Sequence, residues 1–315
     1  MAGSTEDQKK RLAELKQNVP MRGLDRYPSI LQNLSELPPE LRSPAVMDLE
    51  ACEAIQTIIA FPPQIQRGWE YVPKQALLFT PTGVIHLLSS IWPDQEPEIT
   101  SLKGCGLMYM KVTLLLLYGC LEIVAQGQGS PTHVTMEFST VAWNFLSRPL
   151  RRLLKSSESL PDTLTDQTSY SQTMGPALEN LPIKFSNGVK IYGLLPGEEL
   201  QELVFQPGTW KHWLYFFRRP ISANTLLLLT SHYMVVIQEE LKVAQGWIIS
   251  YIPRNTILGI QNHPSGLWNE LSVQLKQEHQ SVNYRLTLEN QAVEAWRRQW
   301  VQHGGAWEDL PEQQA

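Results

Sequence analysis

The stretch Leu226-Leu227-Leu228-Leu229-Thr230-Ser231-His232-Tyr233-Met234-Val235-Val236-Ile237 sets two apolar runs around a polar turn. Ala76-Leu77-Leu78-Phe79-Thr80-Pro81-Thr82-Gly83-Val84-Ile85-His86-Leu87, one repeat length earlier, does the same. Short apolar runs bounded by Thr, Ser, Pro and Gly predict strand, turn, strand in each. The likeness extends both ways. Upstream, Ile55-Gln56-Thr57-Ile58-Ile59-Ala60-Phe61-Pro62-Pro63 lines up with Leu200-Gln201-Glu202-Leu203-Val204-Phe205-Gln206-Pro207-Gly208, a strand followed by a turn. Downstream, Cys120 to Val124 and Glu270 to Gln274 place apolar side chains at alternate positions, the period of a half-buried strand. A hairpin partner follows each: His133 to Phe138 after the turn residues Gln126 to Pro131, and Val282 to Leu288 after Lys276 to Gln280. The period then becomes helical, with Ala142, Leu146 and Leu150 matched by Ala292, Trp296 and Trp300. The spacing from 76 to 226 recurs from 120 to 270 and from 142 to 292, so the repeat keeps a constant length over these elements. Pro149 predicts that the first of the two helices kinks or stops near Arg148, because proline lacks the donor and crowds the preceding turn.

Each half is therefore a run of short antiparallel strands ended by one amphipathic helix. That order predicts a mainly β, α+β or capped-barrel architecture and excludes a doubly wound parallel sheet. Five segments are expected. Residues 1–45 hold an N-terminal helix over about Glu6 to Gln17, behind the capping box Thr5-Glu6-Asp7-Gln8, and a lead-in in which Pro28, Pro38, Pro39 and Pro44 leave room for at most a short helix. The thin apolar set of that helix, Leu12, Ala13 and Leu15, suits either a frayed terminus or a loose dock on a partner. The first module spans 46–155 and the second 183–304. Between them, the Ser/Thr/Pro-rich stretch 156–182 reads as a linker, with an ordered wrap as the alternative. The acidic tail 305–315 is expected to be a disordered end whose Trp307 and Leu310 could dock on a neighbour.

The pattern resembles the bacterial pleckstrin-homology-like (PH-like) domain, a relative of PH and GRAM domains. Leu194-Leu195-Pro196-Gly197-Glu198-Glu199 is similar to that family's approach to its first strand, and Thr225 to Thr230 followed by Met234 to Ile237 is similar to its central hairpin. Gly246 to Pro253, then Ile257-Leu258-Gly259-Ile260, resembles its next strand and a short I-x-x-I segment. The resemblance covers 194–304 well and 46–155 less well. There Glu50-Ala51-Cys52-Glu53 stands in place of Pro-Gly-Glu, and the apolar run Leu114 to Leu117 is unusually continuous. It implies two tandem bent antiparallel barrels, each plugged at one end by its C-terminal helix.

The chain has 315 residues, a net charge of −5 and a pI near 5.8, which speaks against a protein built mainly to hold nucleic acid. Cys52, Cys105 and Cys120 cannot all pair and form no CxxC, so neither a disulfide framework nor a thiolate metal site is expected. Charges occupy the N-terminal stretch where a secretory signal needs its apolar core. The most apolar segment, Val112 to Ala125, contains Glu122 and falls short of the roughly 20 residues needed to cross a bilayer. A cytoplasmic location is expected.

No GxSxG, HExxH, Walker A, GxGxxG or EF-hand spacing occurs, and the seven histidines never fall in a metal-ligand cadence. Neither catalysis nor a cofactor is expected. His232 reads as an exposed turn residue and His263-Pro264-Ser265-Gly266 as an inserted turn. Arg148, Arg151, Arg152 and Lys155 complement a helix C-terminus and need no ligand. The segment 209–219 combines Trp210, Lys211, His212, Arg218 and Arg219 with further aromatic rings and no acid. In familiar PH domains the loop joining the first two strands carries basic residues that grip inositol phosphates, so these five are the candidate ligand-binding or partner-binding residues. Strand alternation would instead commit several of the rings to a core. The expected function is a non-enzymatic binding or scaffold protein recruiting a protein partner. Peripheral binding to acidic lipid through 209–219 is the alternative.

Overall fold

The structure, a computed structural model, describes residues 5–19, 27–52, 54–66, 70–156, 178–195, 197–213, 217–220, 222–241, 246–265, 268–276 and 281–311. It is mainly β with antiparallel sheets, and no helix among these residues is long and apolar enough to cross a membrane. Most of the linker expected at 156–182 lies outside the described residues. The chain separates into two compact units, one of residues 1–105 and 138–159, the other of 106–137 and 160–315. The units are not consecutive in sequence, because one strand expected within the first module pairs with a strand of the second and two neighbouring strands follow it into that sheet.

The first unit opens with α1 (Thr5–Gln17), which rests on the later strand Glu70–Val72 and buries none of its own residues. After it come β1 (Ser29–Leu31) and α2 (Pro44–Cys52), then β2 (Thr57–Phe61), a small hairpin of β3 (Gln64–Gln66) and β4 (Glu70–Val72), and β5 (Gln75–Phe79), β6 (Gly83–Leu88) and β7 (Glu98–Lys103). The main sheet runs β1-β2-β5-β6-β7. The Pro-rich lead-in does more than lead in. Its two 3-10 turns and the residue that ends the first carry Leu34, Leu41 and Leu37, each at most 1% exposed, into one core with Val46, Ile58, Leu78, Ile85 and Leu87. Proline is no obstacle there, since Pro39 stands at the first position of its turn, where no backbone donor is needed. Helix α3 (Trp143–Ser156) lies against β2 and β6 and buries Leu146, Leu150, Leu153 and Leu154. It does not stop at Arg148. The helix continues through Pro149, and the apolar stripe on both sides of that residue explains why: burying four leucines outweighs one lost backbone bond.

The second unit begins with β8 (Leu107–Leu115), β9 (Tyr118–Ala125) and β10 (Thr132–Ser139), the last two residues of β10 being counted with the first unit. It resumes with α4 (Ile183–Gly188), β11 (Leu200–Gln206), a hairpin of β12 (Trp210–Trp213) and β13 (Phe217–Pro220), β14 (Thr225–Thr230), β15 (Tyr233–Glu239) and β16 (Gly246–Pro253). Then follow β17 (Ile257–Ser265), β18 (Trp268–Leu275), β19 (Val282–Glu289), α5 (Asn290–Gln302) and β20 (Trp307–Asp309). One sheet has the order β10-β9-β8-β16-β15-β14-β11 and another β19-β18-β17-β20. Among the described residues no sheet closes into a barrel. Strand β16 pairs with β8 from Gly246↔Leu115 to Tyr251↔Met110, so the seven strands form one open sheet instead of closing within a module.

The core of this unit lies between the two sheets. Leu227, Leu229, Met234, Val236 and Ile252 from the first meet Ile260, Leu271, Val273 and Leu286 from the second, with Trp296 and Trp300 of α5 filling one side. The two indoles stack at 6.4 Å. At the other end of the chain order, α4 sets Phe185 against Phe205 and Trp247, at 5.0 and 5.2 Å between ring centroids.

Two expectations change here. The segment from His263 is no inserted turn: β17 runs through Ser265, pairing His263 with Glu270 and Pro264 with Asn269. Nor is the whole tail disordered. Trp307 to Asp309 add a parallel strand to β17, whose edge would otherwise present unpaired donors and acceptors.

Candidate functional site

The five residues singled out from the sequence lie on the β12–β13 hairpin, which occupies the connection between β11 and β14. Backbone register sets Trp210 opposite Pro220, Lys211 opposite Arg219, His212 opposite Arg218 and Trp213 opposite Phe217. Successive residues of a strand belong to opposite faces, so the Lys211/Arg219 and His212/Arg218 pairs occupy different faces of the ribbon. The side chains of 210–221 lie outside the described residues. The base of the hairpin is well tied: Gly208 donates its N–H to Asn224 Oδ1 at 2.6 Å, and Thr209 N–H reaches Ser222 Oγ at 3.1 Å. In the first unit β3–β4 takes the same place between β2 and β5, with Arg67 to Trp69 outside the described residues.

His232 is only half exposed and is engaged. Its Nδ1 lies 2.7 Å from Glu198 Oε1, and its backbone N–H donates to Glu198 Oε2 at 3.1 Å. Glu198 itself is 2% exposed. The turn that aims it passes through Gly197 at φ 86, a left-handed conformation that glycine adopts without steric cost. Beside it Arg254 donates to Gln201 Oε1 at 2.7 Å and to the Thr230 carbonyl at 3.0 Å, while its own N–H bonds the His232 carbonyl at 2.8 Å. A buried carboxylate beside a histidine is the orienting half of a catalytic triad. Here both carboxylate oxygens are turned on the His232 backbone and ring, so the group closes the β14–β15 turn. The Pro-Gly-Glu signal was legible in the sequence, and its distant partner His232 was not.

A cleft in the first unit was missed altogether. Its cavity of about 340 Å³ is lined by Arg11, Glu40, Tyr71, Lys74, Ser90 and Trp92. Lys74 Nζ meets Glu40 Oε1 at 2.7 Å, and Arg11 ties α1 to the wall by donating Nε–H to the Ile91 carbonyl at 3.2 Å. Burial and the Glu40 charge push the Tyr71 hydroxyl above its ordinary value, against the opposing charge of Arg11. Separate elements contribute these residues, and no spacing in the sequence links them.

A deeply placed histidine lies on β6 of the same unit. His86 is 7% exposed, with Nε2 3.0 Å from Gln75 Oε1, and burial lowers its pKa to about 4. The neutral ring donates to the Gln75 carbonyl oxygen, a structural contact within the sheet. Among the described residues no cluster of three His, Cys, Asp or Glu could hold a metal ion. No protein-family model matches the chain, and no curated protein matches it.

Proposed function

We propose that the chain is a non-enzymatic binding protein, cytoplasmic, whose two PH-like modules recruit a protein partner. The two-module reading is supported by the spacing of elements: β8, β9 and β10 recur one repeat length later as β17, β18 and β19, and each set is followed by a helix. The observation that carries the binding reading is the β8–β9 turn. Leu116 and Leu117 make up that turn and are 64% and 77% exposed, with Leu116 at φ 48. Two-residue hairpin turns favour Asn-Gly because those residues accept positive φ. A leucine there bears on the order of 1 kcal/mol of strain and leaves apolar surface in water. Such a tip adds little to folding and suits an apolar pocket on another protein.

Replacing the tip by Leu116→Asn/Leu117→Gly should leave the melting temperature equal or higher. A partner captured by the wild type, identified and purified, should bind the variant at least roughly tenfold more weakly. Equal binding by the two chains would overturn the reading.

Acidic-lipid binding through 209–219 is the competing reading, and one observation favours it. Lys211 is paired in register with Arg219, so the hairpin sets two basic residues at one position of the ribbon. Co-sedimentation with anionic and with neutral vesicles decides between the two. The protein-partner reading expects little binding at physiological salt. Strong binding to anionic vesicles alone, lost in Lys211→Ala/Arg218→Ala/Arg219→Ala and weakened by salt, would replace it.

A further inference from the structure

The joint between β8 and β16 contains an instruction that the chain does not use twice. Leu107–Leu115 precedes Ile257–Ser265 by one repeat length, so β17 stands where β8 stands in the repeat. Lys103, the last residue of β7, precedes Pro253, the last residue of β16, by the same interval. On one side β8 pairs with β9, as β17 does with β18. On its other side β8 takes β16, in the register Ile248↔Thr113, Ile249↔Val112, Ser250↔Lys111 and Tyr251↔Met110. Exchanging each residue for its match in the other half sets Glu98 opposite His263, Ile99 opposite Asn262, Thr100 opposite Gln261 and Ser101 opposite Ile260. Strand β7 is the edge of its sheet, with Glu98, Ile99, Ser101 and Lys103 exposed.

The matching edge of β17 is covered, and at those same residues. Strand β20 pairs Ile260 with Trp307, Gln261 with Glu308 and Asn262 with Asp309. The cover is short and largely polar. The Ala306 carbonyl accepts from Ile260 N–H at 3.0 Å and from Trp300 Nε1–H at 3.0 Å, and Leu310 N–H donates to the Asn262 carbonyl at 2.9 Å. Arg297 meets Asp309 at 3.0 Å with both groups 42% exposed, a geometry that adds little stability.

We propose that the β17 edge is a docking site for β7 of a second copy of this chain, and that residues 306–310 keep it closed. The occupant follows from the joint the chain already makes, since the second copy would repeat between molecules the pairing that β8 and β16 make within one. The contact joins two different surfaces, so it propagates head to tail into open chains instead of closing a symmetric dimer. The inference goes beyond partner recruitment and rests on the two-module reading only through the constant repeat length.

Sedimentation velocity on the 315-residue chain tests it. Glu308→Pro removes a tail donor midway between the Ala306 and Leu310 contacts, where period-two alternation again turns the backbone toward β17. Trp307→Ser removes the tail's aromatic anchor without touching β17 and serves if the proline variant does not fold, which circular dichroism reports. With the tail loosened, the weight-average mass should at least double across a hundredfold rise in concentration, while the wild type changes less. Adding Ile99→Lys/Ser101→Lys, two charges on the exposed β7 edge, should return the mass to the wild-type value. A folded variant with wild-type mass at every concentration would overturn the proposal. So would assembly that survives the β7 lysines. Neither outcome touches the Leu116/Leu117 test, so the failure of one reading is distinct from the failure of the other.

Discussion

Helices α3 and α5 close the strand runs of the two halves with different side chains at matched positions. Leu146 and Leu150 of α3, with Ala142 of the 3-10 turn just before it, correspond to Trp296, Trp300 and Ala292 of α5, and all six are buried. Leucines give α3 a flexible apolar stripe, whereas the stacked indoles of α5 fill a larger volume with rigid groups. The difference teaches that a shared spacing of buried positions does not dictate how much each position contributes. Indole packing concentrates energy in two residues, and α3 spreads it over Leu146, Leu150, Leu153 and Leu154.

The largest expected effect breaks the aromatic half of this comparison. Trp296→Ala should cost about 3–5 kcal/mol, because the site is fully buried and its neighbours on two sheets cannot collapse around the void. Chemical denaturation measures it, and an unchanged midpoint would refute the role given to Trp296.

The next effect is a matter of pH and is confined to the first half. Position 86 holds a buried histidine, and position 236, its match, holds a buried valine. Burial lowers the His86 pKa to about 4, while the unfolded chain titrates near 6.5. The unfolded state therefore binds the proton first. Stability from this group is whole above about pH 6.5 and is lost as pH falls toward 4, by up to about 3 kcal/mol. Gln75→Thr/His86→Val, which imports the residues of positions 225 and 236, should remove one proton from the pH dependence of unfolding in that window. An unaltered pH slope would refute the assignment.

Leu146→Ala should cost about 2–3 kcal/mol, at the lower end for a buried leucine, since the other three leucines of the stripe can shift toward the gap. A loss as large as that of Trp296→Ala would erase the distinction between the helices. The smallest effect concerns the outer faces. Arg285 and Glu270 pair at 3.2 Å on β19 and β18, where positions 135 and 120 hold Thr and Cys. Arg285→Ala should change stability by about 1 kcal/mol or less, and less still at high salt, because both groups are well exposed.

Much of the strand order was legible because its signals are local. The alternation at Cys120 to Val124 and Glu270 to Gln274 needs only a solvated and a buried face, and β9 and β18 lie where it predicts. The candidate hairpin was legible as a place between two strands, not as a pairing of Lys211 with Arg219. The Arg11, Tyr71 and Lys74 cleft was not legible at all, since its walls come from helix, turn and strand far apart in sequence. Leu34, Leu37 and Leu41 were hidden by the prolines around them, which argue about backbone donors and say nothing of where a leucine points.

By itself, the sequence determined most of the strands and turns and which helix faces are apolar, because each of these depends on neighbours within a turn or two; the strand residues His263 to Ser265 and Trp307 to Asp309 were not among them. Only the tertiary structure decided which strand edge meets which. Backbone donors and acceptors are the same in every strand, so nothing in the composition of β8 names β16 as its partner, and nothing in Trp307 to Asp309 names β17. That choice follows from which edges are left open once the apolar faces have been buried.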